Sequence, residues 1–365
     1  MNYITKNDFA ELAIKKHEEI DFIAKCITPW HLIGLRAFVE MLCESKTDVK
    51  GVLLIKKHFI GTSSAFLISE SDIKFPSNAH VELYYEDLAT SSISHKSNKL
   101  FQYLFSGLEH MREPHNVFII QSFYQDYELA YDFLKLTDSA CELVCIDEGI
   151  GSYRNRRDLI HYYFSKGIKK GVFSWLGWLL ADFMSFKIKS PQQWFTILKK
   201  EKGEWVKNDA VCRWYRKVLE KCETLDIGND KYIVVLTQPF DSEEDRKSSG
   251  AIMEALDKEI RAYQESGYKV FIKPHPRETK EIIDCYQNKG YLLFPYKGGF
   301  ENILGGLNLL PECVIGLNTT SLVTAKVLFG IRSISIIKKT KASLTRGTNK
   351  TYNAFYGYFK NIVEF

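Results

Sequence analysis

No CxxC pair occurs in this sequence, and its eight cysteines, among them Cys26, Cys145 and Cys313, sit mostly inside apolar runs. A free cysteine in such a run packs as a small hydrophobe, so a reducing compartment and no metal site are expected. No GxxxxGK[ST] stretch is present, which argues against a nucleoside triphosphatase built on a phosphate-binding loop. Nowhere does an apolar run reach the roughly eighteen residues needed to cross a bilayer. The opening "MNYITKNDFAELAIKKHEEID" is polar and helix-like, unlike a secretory signal. A strong charge bias is missing too. The net charge is +4, with lysine and arginine spread along the chain and no aromatic–basic module of the kind that binds RNA or DNA. No nucleic-acid partner is expected, the location is expected to be cytoplasmic, and no internal repeat is visible.

What is present is a chain of 365 residues, 45% hydrophobic and 26% charged, long enough for two ordinary domains with sizeable cores. Short β-rich runs alternate with helical patterns. Candidate strands are "DFIAKCI" (21–27), "GVLLIKK" (51–57), "HVELYY" (80–85), "NVFIIQ" (116–121) and "CELVCI" (141–146). Between the first two, "HLIGLRAFVEMLCE" puts Leu32, Leu35, Val39 and Leu42 on one helical face. The pattern breaks over about 154–225, which is basic, aromatic and strand-poor. It resumes with "KYIVVLT" (231–237), "YKVFIK" (268–273), "ECVIGL" (312–317) and "RSISII", again separated by helical stretches. Continuous apolar strands alternating with helices predict parallel sheets covered on both faces. The expected class is α/β, with two doubly wound domains facing each other and ligand at the carboxyl ends of the strands. The expected division is 1–225, including a basic aromatic helical insertion at 154–205, then 226–345. A final segment, 346–365, is expected to cross back to the first domain.

The residues just beyond the strands are the informative ones. "TPWH" (Thr28, Pro29, Trp30, His31) follows the first strand, and "DEG" (Asp147, Glu148, Gly149) follows the fifth. In the second half "TQPF", with Gln238, "KPHPRE", with Lys273, His275 and Pro276, and "GLNTTS", with Asn318, Thr319, Thr320 and Ser321, occupy the same kind of position. Asp and Gly suit a turn, but a turn does not ask for two adjacent carboxylates. Held in a cleft, one of the pair gains basicity from desolvation and like-charge crowding and can take a proton from a hydroxyl. Two prolines bracket His275 and stiffen its loop, which suits either a helix start or a histidine that must hold one position near a phosphate. The hydroxyls at Thr319, Thr320 and Ser321 suit helix capping, and also a phosphate site at a helix N-terminus.

These stretches resemble the bacterial sialyltransferases and polysialyltransferases of the capsule and lipooligosaccharide type. Those families share an acidic pair followed by glycine, matched by Asp147-Glu148-Gly149, and a later His-Pro, matched by His275-Pro276. Thr320-Ser321 matches a third, Ser/Thr-Ser element, and "CITPWHLIGL" is similar to the opening strand and loop of the lipooligosaccharide branch. The resemblance implies a GT-B fold, with acceptor bound by the first Rossmann-like domain and nucleotide sugar by the second. It implies inverting, metal-independent transfer from CMP-sialic acid to a hydroxyl of a bacterial surface glycan, either lipooligosaccharide or capsular polysialic acid, with no further cofactor. By analogy the acidic pair supplies the base, with Glu148 favoured for its longer reach. His275 acts on the CMP phosphate from the opposite domain, and the Thr-Ser element binds that phosphate. Thr28, Pro29, Gln238, Lys273, Pro276, Asn318 and Thr319 are the further donor-side residues. Gly149, Tyr153, Arg154, Arg156 and Arg157 are those expected to meet an oligosaccharide or glycolipid acceptor; the arginines suit either an acidic glycan or a solvated surface.

Within 154–205, "VFSWLGWLLADFMSF" (172–186) is flanked by lysines. It reads as a buried helix pair completing the first domain, or as an interfacial helix docking on an anionic membrane at the inner face of the cell. Two other functions stay open. One is a GT-B transferase using a CDP- or UDP-linked donor in capsule or teichoic-acid-like synthesis. The other is a non-catalytic, membrane-docked scaffold of glycan assembly.

Overall fold

The computed structural model describes residues 2–4, 6–16, 19–55, 68, 72–86, 117–122, 141–153, 168, 172, 175, 193–239, 243–275, 278–340 and 346–365. The chain forms two compact units and passes from the first to the second between Glu148 and Gly149.

The first unit is a parallel sheet. Its elements are β1 (Asn2–Ile4), α1 (Lys6–Lys16), β2 (Phe22–Cys26), α2 (Pro29–Ser45), β3 (Val49–Ile55), β4 (Ala79–Glu86), β5 (Val117–Ser122), β6 (Cys141–Ile146) and β7 (Gln193–Phe195). The strand order is β1-β4-β3-β2-β5-β6-β7, every pairing parallel. All five residues of β2 are buried, as its central position requires. α2 starts where it does because Thr28 caps it, its side chain accepting from the His31 N–H at 3.3 Å, and because Pro29 stands at the first turn with no N–H to satisfy. Its predicted apolar face is buried, and Phe38 meets Phe118 and Phe195 edge-on at 5.3 and 5.2 Å.

The second unit begins with a short helical turn, α3 (Ile150–Tyr153), and resumes with the hairpin β8 (Leu198–Glu201) and β9 (Glu204–Lys207), then α4 (Asp209–Leu219). It continues through β10 (Tyr232–Leu236), α5 (Glu243–Glu265), β11 (Lys269–Lys273), α6 (Lys280–Asn288), β12 (Leu292–Leu293) and α7 (Phe300–Gly306). The last elements are β13 (Cys313–Gly316), α8 (Thr320–Phe329), β14 (Arg332–Ser335), α9 (Ile337–Thr340) and α10 (Arg346–Phe359). Its sheet, also wholly parallel, has the order β12-β11-β10-β13-β14. Apart from the edge strand β1, each sheet therefore starts at a central strand, β2 or β10, and winds outward on either side, the doubly wound Rossmann-like order. Each has its switch point where the winding reverses, between β2 and β5 in one and between β10 and β13 in the other.

Three expectations need correction. Residues 197–225 belong with the second unit, not the first. α4 packs on α7 and α8, and a Cβ on Gly305 would stand 2.5 Å from the Leu219 carbonyl, so the two helices touch backbone to backbone. The C-terminal segment stays in that same unit. Glu364 continues the edge of β14 through backbone bonds to Ser333 and Ser335 (2.9 and 2.7 Å), and its carboxylate pairs with Arg332 at 2.8 Å. The parts this segment meets, Tyr153 and strand β9 among them, are ones the sequence had placed in the first domain. Finally, the basic stretch is not strand-poor throughout. β7 adds to the first sheet, and β8–β9 close over a tight turn in which Lys202 and Gly203 both take positive φ (49° and 89°). Of the helix expected at 172–186, Val172 and Trp175 are helical and the remainder lies outside the described residues.

Candidate active site

In the first unit, β6 delivers Asp147 and Glu148 at its carboxyl end. Asp147 is fully buried and Glu148 half-buried. The neighbouring loop after β2 reaches the same place: the Trp30 indole N–H donates to Asp147 Oδ1 at 3.3 Å. The sequence offered Thr28 and Pro29 from this loop, and they shape it as helix cap and first turn, but Trp30 makes the contact. Beside it, His31 is wholly buried. Its Nδ1 lies 3.4 Å from the Ile27 N–H, and burial, aided by the Lys25 charge, lowers its pKa from 6.5 to about 4. This imidazole is neutral at physiological pH and serves as an acceptor that ties the end of β2 to the start of α2.

The acidic pair continues directly into the second unit through Gly149. This residue sits at φ +93°, and a Cβ on it would stand 2.6 Å from Thr320 Oγ1. The next N–H, that of Ile150, donates to the same Thr320 hydroxyl at 3.1 Å. Gly149 and Thr320, read separately from the sequence, are thus in direct contact within the second unit. Tyr153, expected at the acceptor, is only 2% exposed and packs edge-on against Trp205 (5.0 Å) and Phe359 (6.0 Å). Its ring is a core element rather than a sugar-binding surface. Arg154, Arg156 and Arg157 lie outside the described residues, as does Pro276.

His275 stands two residues beyond β11, half-buried, on a loop held from several sides. Its backbone N–H donates to Glu278 Oε2 at 2.7 Å and lies 3.2 Å from Thr237 Oγ1, and its carbonyl accepts from the Glu278 N–H at 2.9 Å. The Thr237 hydroxyl donates to Glu278 Oε2, and the Tyr286 hydroxyl to Oε1 at 2.9 Å. Burial pushes the Glu278 carboxyl pKa up, and these donors pull it back; burial and the Glu278 charge push the Tyr286 phenol up in turn. Site-residue reasoning passed over Thr237, Glu278 and Tyr286. The available signal was Glu three residues after His275, the spacing of a capping box. Gln238 and Thr237 line a shallow cavity beside the end of β10 with Met253, Tyr286 and Leu317.

Lys273 closes β11 and is nearly buried. Desolvation lowers its pKa, and the Glu301 charge opposes that shift. Glu301 Oε1 in turn accepts from Ser321 Oγ and Thr324 Oγ1, both at 2.9 Å. Thr319 caps α8, accepting from the Ser321 N–H at 3.3 Å, and Asn318 is half-buried just before it. Lys273, Glu301 and the N-terminus of α8 therefore form one linked set at the carboxyl ends of β11 and β13. Among the described residues, no three His, Cys, Asp or Glu side chains cluster as a metal site would require.

A family model described as alpha-2,8-polysialyltransferase (POLYST) matches residues 22–338, most of the chain. The chain belongs to this family. It is a glycosyltransferase of the sialyltransferase group, and each of its two units is an α/β, Rossmann-like sheet. No curated protein matches the sequence. Among solved structures, the α/β-galactoside α-2,3-sialyltransferase of Photobacterium phosphoreum aligns at 10% identity over 94% of this chain and 97% of its own, with a TM-score of 0.45. The 2,6-sialyltransferase of Photobacterium sp. JT-ISH-224, solved with CMP and lactose, aligns at 11% identity over 94% and 78%, with a TM-score of 0.43. UDP-GlcNAc 2-epimerase from Methanocaldococcus jannaschii aligns at 12% identity over 86% and 83%, with a TM-score of 0.48. Asp147-Glu148-Gly149 and His275-Pro276 fall inside the matched region.

Proposed function

We propose that this polysialyltransferase-family protein transfers sialic acid from CMP-sialic acid to a hydroxyl of a bacterial surface glycan, lipooligosaccharide or capsular polysialic acid, with inversion and without a metal or other cofactor. The observation that carries the reading is that both signatures emerge at carboxyl ends of parallel strands, "DEG" after β6 and His275 after β11, where doubly wound sheets bind ligands. The acceptor oxygen attacks the anomeric carbon and loses its proton to the acidic pair. The bond from that carbon to the phosphate oxygen breaks, and its electron pair leaves with CMP. His275 meets the charge developing on the phosphate by hydrogen bond or proton. Lys273 and the capped start of α8 add positive potential on the donor side. One displacement inverts the anomeric centre.

The acceptor is built at a membrane in this reading, and the protein sits at the inner face of the cell membrane. Ile168, Val172 and Trp175 are helical, spaced four and three apart as on one helix face, and 78%, 39% and 47% exposed. Lys166, Lys169 and Lys170 are interleaved with them in the sequence, so apolar anchors and anionic-lipid contacts come together. No helix among the described residues is long and apolar enough to cross a membrane.

The test is CMP release from CMP-sialic acid, with and without lactose or an oligosialic acid, and with CDP-glycerol and UDP-sugars as parallel donors. Acceptor-dependent release from CMP-sialic acid is expected. Turnover of another donor alone would move the enzyme to a different transferase class. Sedimentation with phosphatidylglycerol vesicles, but not with neutral ones, is expected to weaken when Trp175 is replaced by Glu.

A further inference from the structure

We propose that Glu278 is the positioning residue for His275, fixing the backbone from which the histidine acts. The inference rests on the reading that His275 works on the leaving phosphate. Glu278 holds both polar groups of the His275 backbone, accepting its N–H at 2.7 Å and donating to its carbonyl at 2.9 Å. A cap alone needs no more than that. Here the same carboxylate is also held by two other elements, by Thr237 at the end of β10 and by Tyr286 on α6. The carboxylate is buried, and burial works against its charge. A buried carboxylate with donors on both oxygens has one orientation, so the His275 loop has one as well. The clamp ties that loop to the central strand of the sheet. It acts on His275 through the main chain and touches no reacting atom.

Replacing Glu278 by Gln keeps an acceptor for the His275 N–H and keeps the shape. The amide nitrogen can donate to the Tyr286 hydroxyl oxygen. Glu278→Ala removes the clamp altogether. The experiment is acceptor-dependent CMP release by Glu278→Ala, Glu278→Gln and Thr237→Val, each made alone and on a His275→Ala background, with melting temperatures measured alongside. Glu278→Ala is expected to lower kcat by about a hundredfold with little change in the donor KM, the scale set by an ångström of misplacement. Glu278→Gln is expected to restore most of kcat, and Thr237→Val to fall between the two. On the His275→Ala background all three are expected to cost nothing more in kcat. If Glu278→Ala does not fold, the Gln and Val variants carry the same cycle. An equal further loss without His275, or an effect confined to KM, would overturn the positioning role while leaving the proposed function intact. Full activity in His275→Ala itself would overturn the functional reading and this inference with it.

Discussion

The loops that leave β6 and β11 occupy comparable places in two parallel sheets, yet they are held by opposite means. After β6 the chain turns at Gly149, where a left-handed φ and the Thr320 hydroxyl leave no room for a Cβ, and Asp147, two residues earlier, accepts a long hydrogen bond from Trp30. After β11 the chain is held by a polar clamp of four partners, Glu278, Thr237, Tyr286 and the His275 backbone. The first lock is steric and depends on an absent side chain; the second is electrostatic and depends on a buried charge. A steric lock fails at once when anything is added, whereas a network loses strength partner by partner.

The contrast can be broken first at Gly149. Gly149→Ala combines a left-handed backbone penalty with a contact that must be relieved, and is expected to cost about 2–4 kcal/mol in urea unfolding and to abolish transfer. Wild-type stability in that variant would mean that the loop is not held sterically. Next to the same loop, His31 gives a pH signature of similar size. Its folded pKa of about 4 lies below the unfolded 6.5, so between those values the unfolded chain binds a proton that the folded ring refuses. Stability is full above pH 6.5 and is expected to fall by about 3 kcal/mol as the pH drops to 4. His31→Asn, which keeps an acceptor for the Ile27 N–H, should flatten that part of the unfolding-versus-pH curve. An unchanged slope would show that another group is responsible.

Much of this architecture was legible because the central strands of both sheets are buried on both faces. β10 and β13 are unbroken apolar runs and β2 is interrupted only by the buried Lys25, and a run of that kind between helices has few other uses. What escaped were elements with little apolar signal. β1 is three residues at a sheet edge, and the β8–β9 hairpin, "LKKE" and "EWVK", is mostly exposed and defined by its turn. The site divides along the same line. Asp147, Glu148 and His275 stood out as candidates because unusual polar residues at strand ends contrast with a core. Glu278 was hidden because its partners Thr237 and Tyr286 lie 41 residues before it and 8 after it. Tyr153 was misjudged because adjacency to a motif says nothing about which way a ring packs.

Two smaller effects sharpen the contrast further. Trp30→Phe keeps most of the ring and removes the indole donor to Asp147, at an expected cost of about 1–2 kcal/mol to stability and a larger proportional loss of transfer rate. Equal losses in the two would make Trp30 a packing residue only. Ser321→Ala removes one of the two hydroxyls on Glu301 Oε1 while Thr324 remains, so less than about 1 kcal/mol is expected. A donor KM that rises severalfold in that variant would place Ser321 on the phosphate as well.

The most direct measurement is acceptor-dependent CMP release from CMP-sialic acid by wild type, His275→Ala, Asp147→Asn and Glu148→Gln, using only preparations that melt at the wild-type temperature. Release that is lost in His275→Ala and in one of the two acidic variants is the predicted result, and it identifies the base. Wild-type rates in His275→Ala, or in both acidic variants, would contradict the assignment of the chemistry to these strand ends.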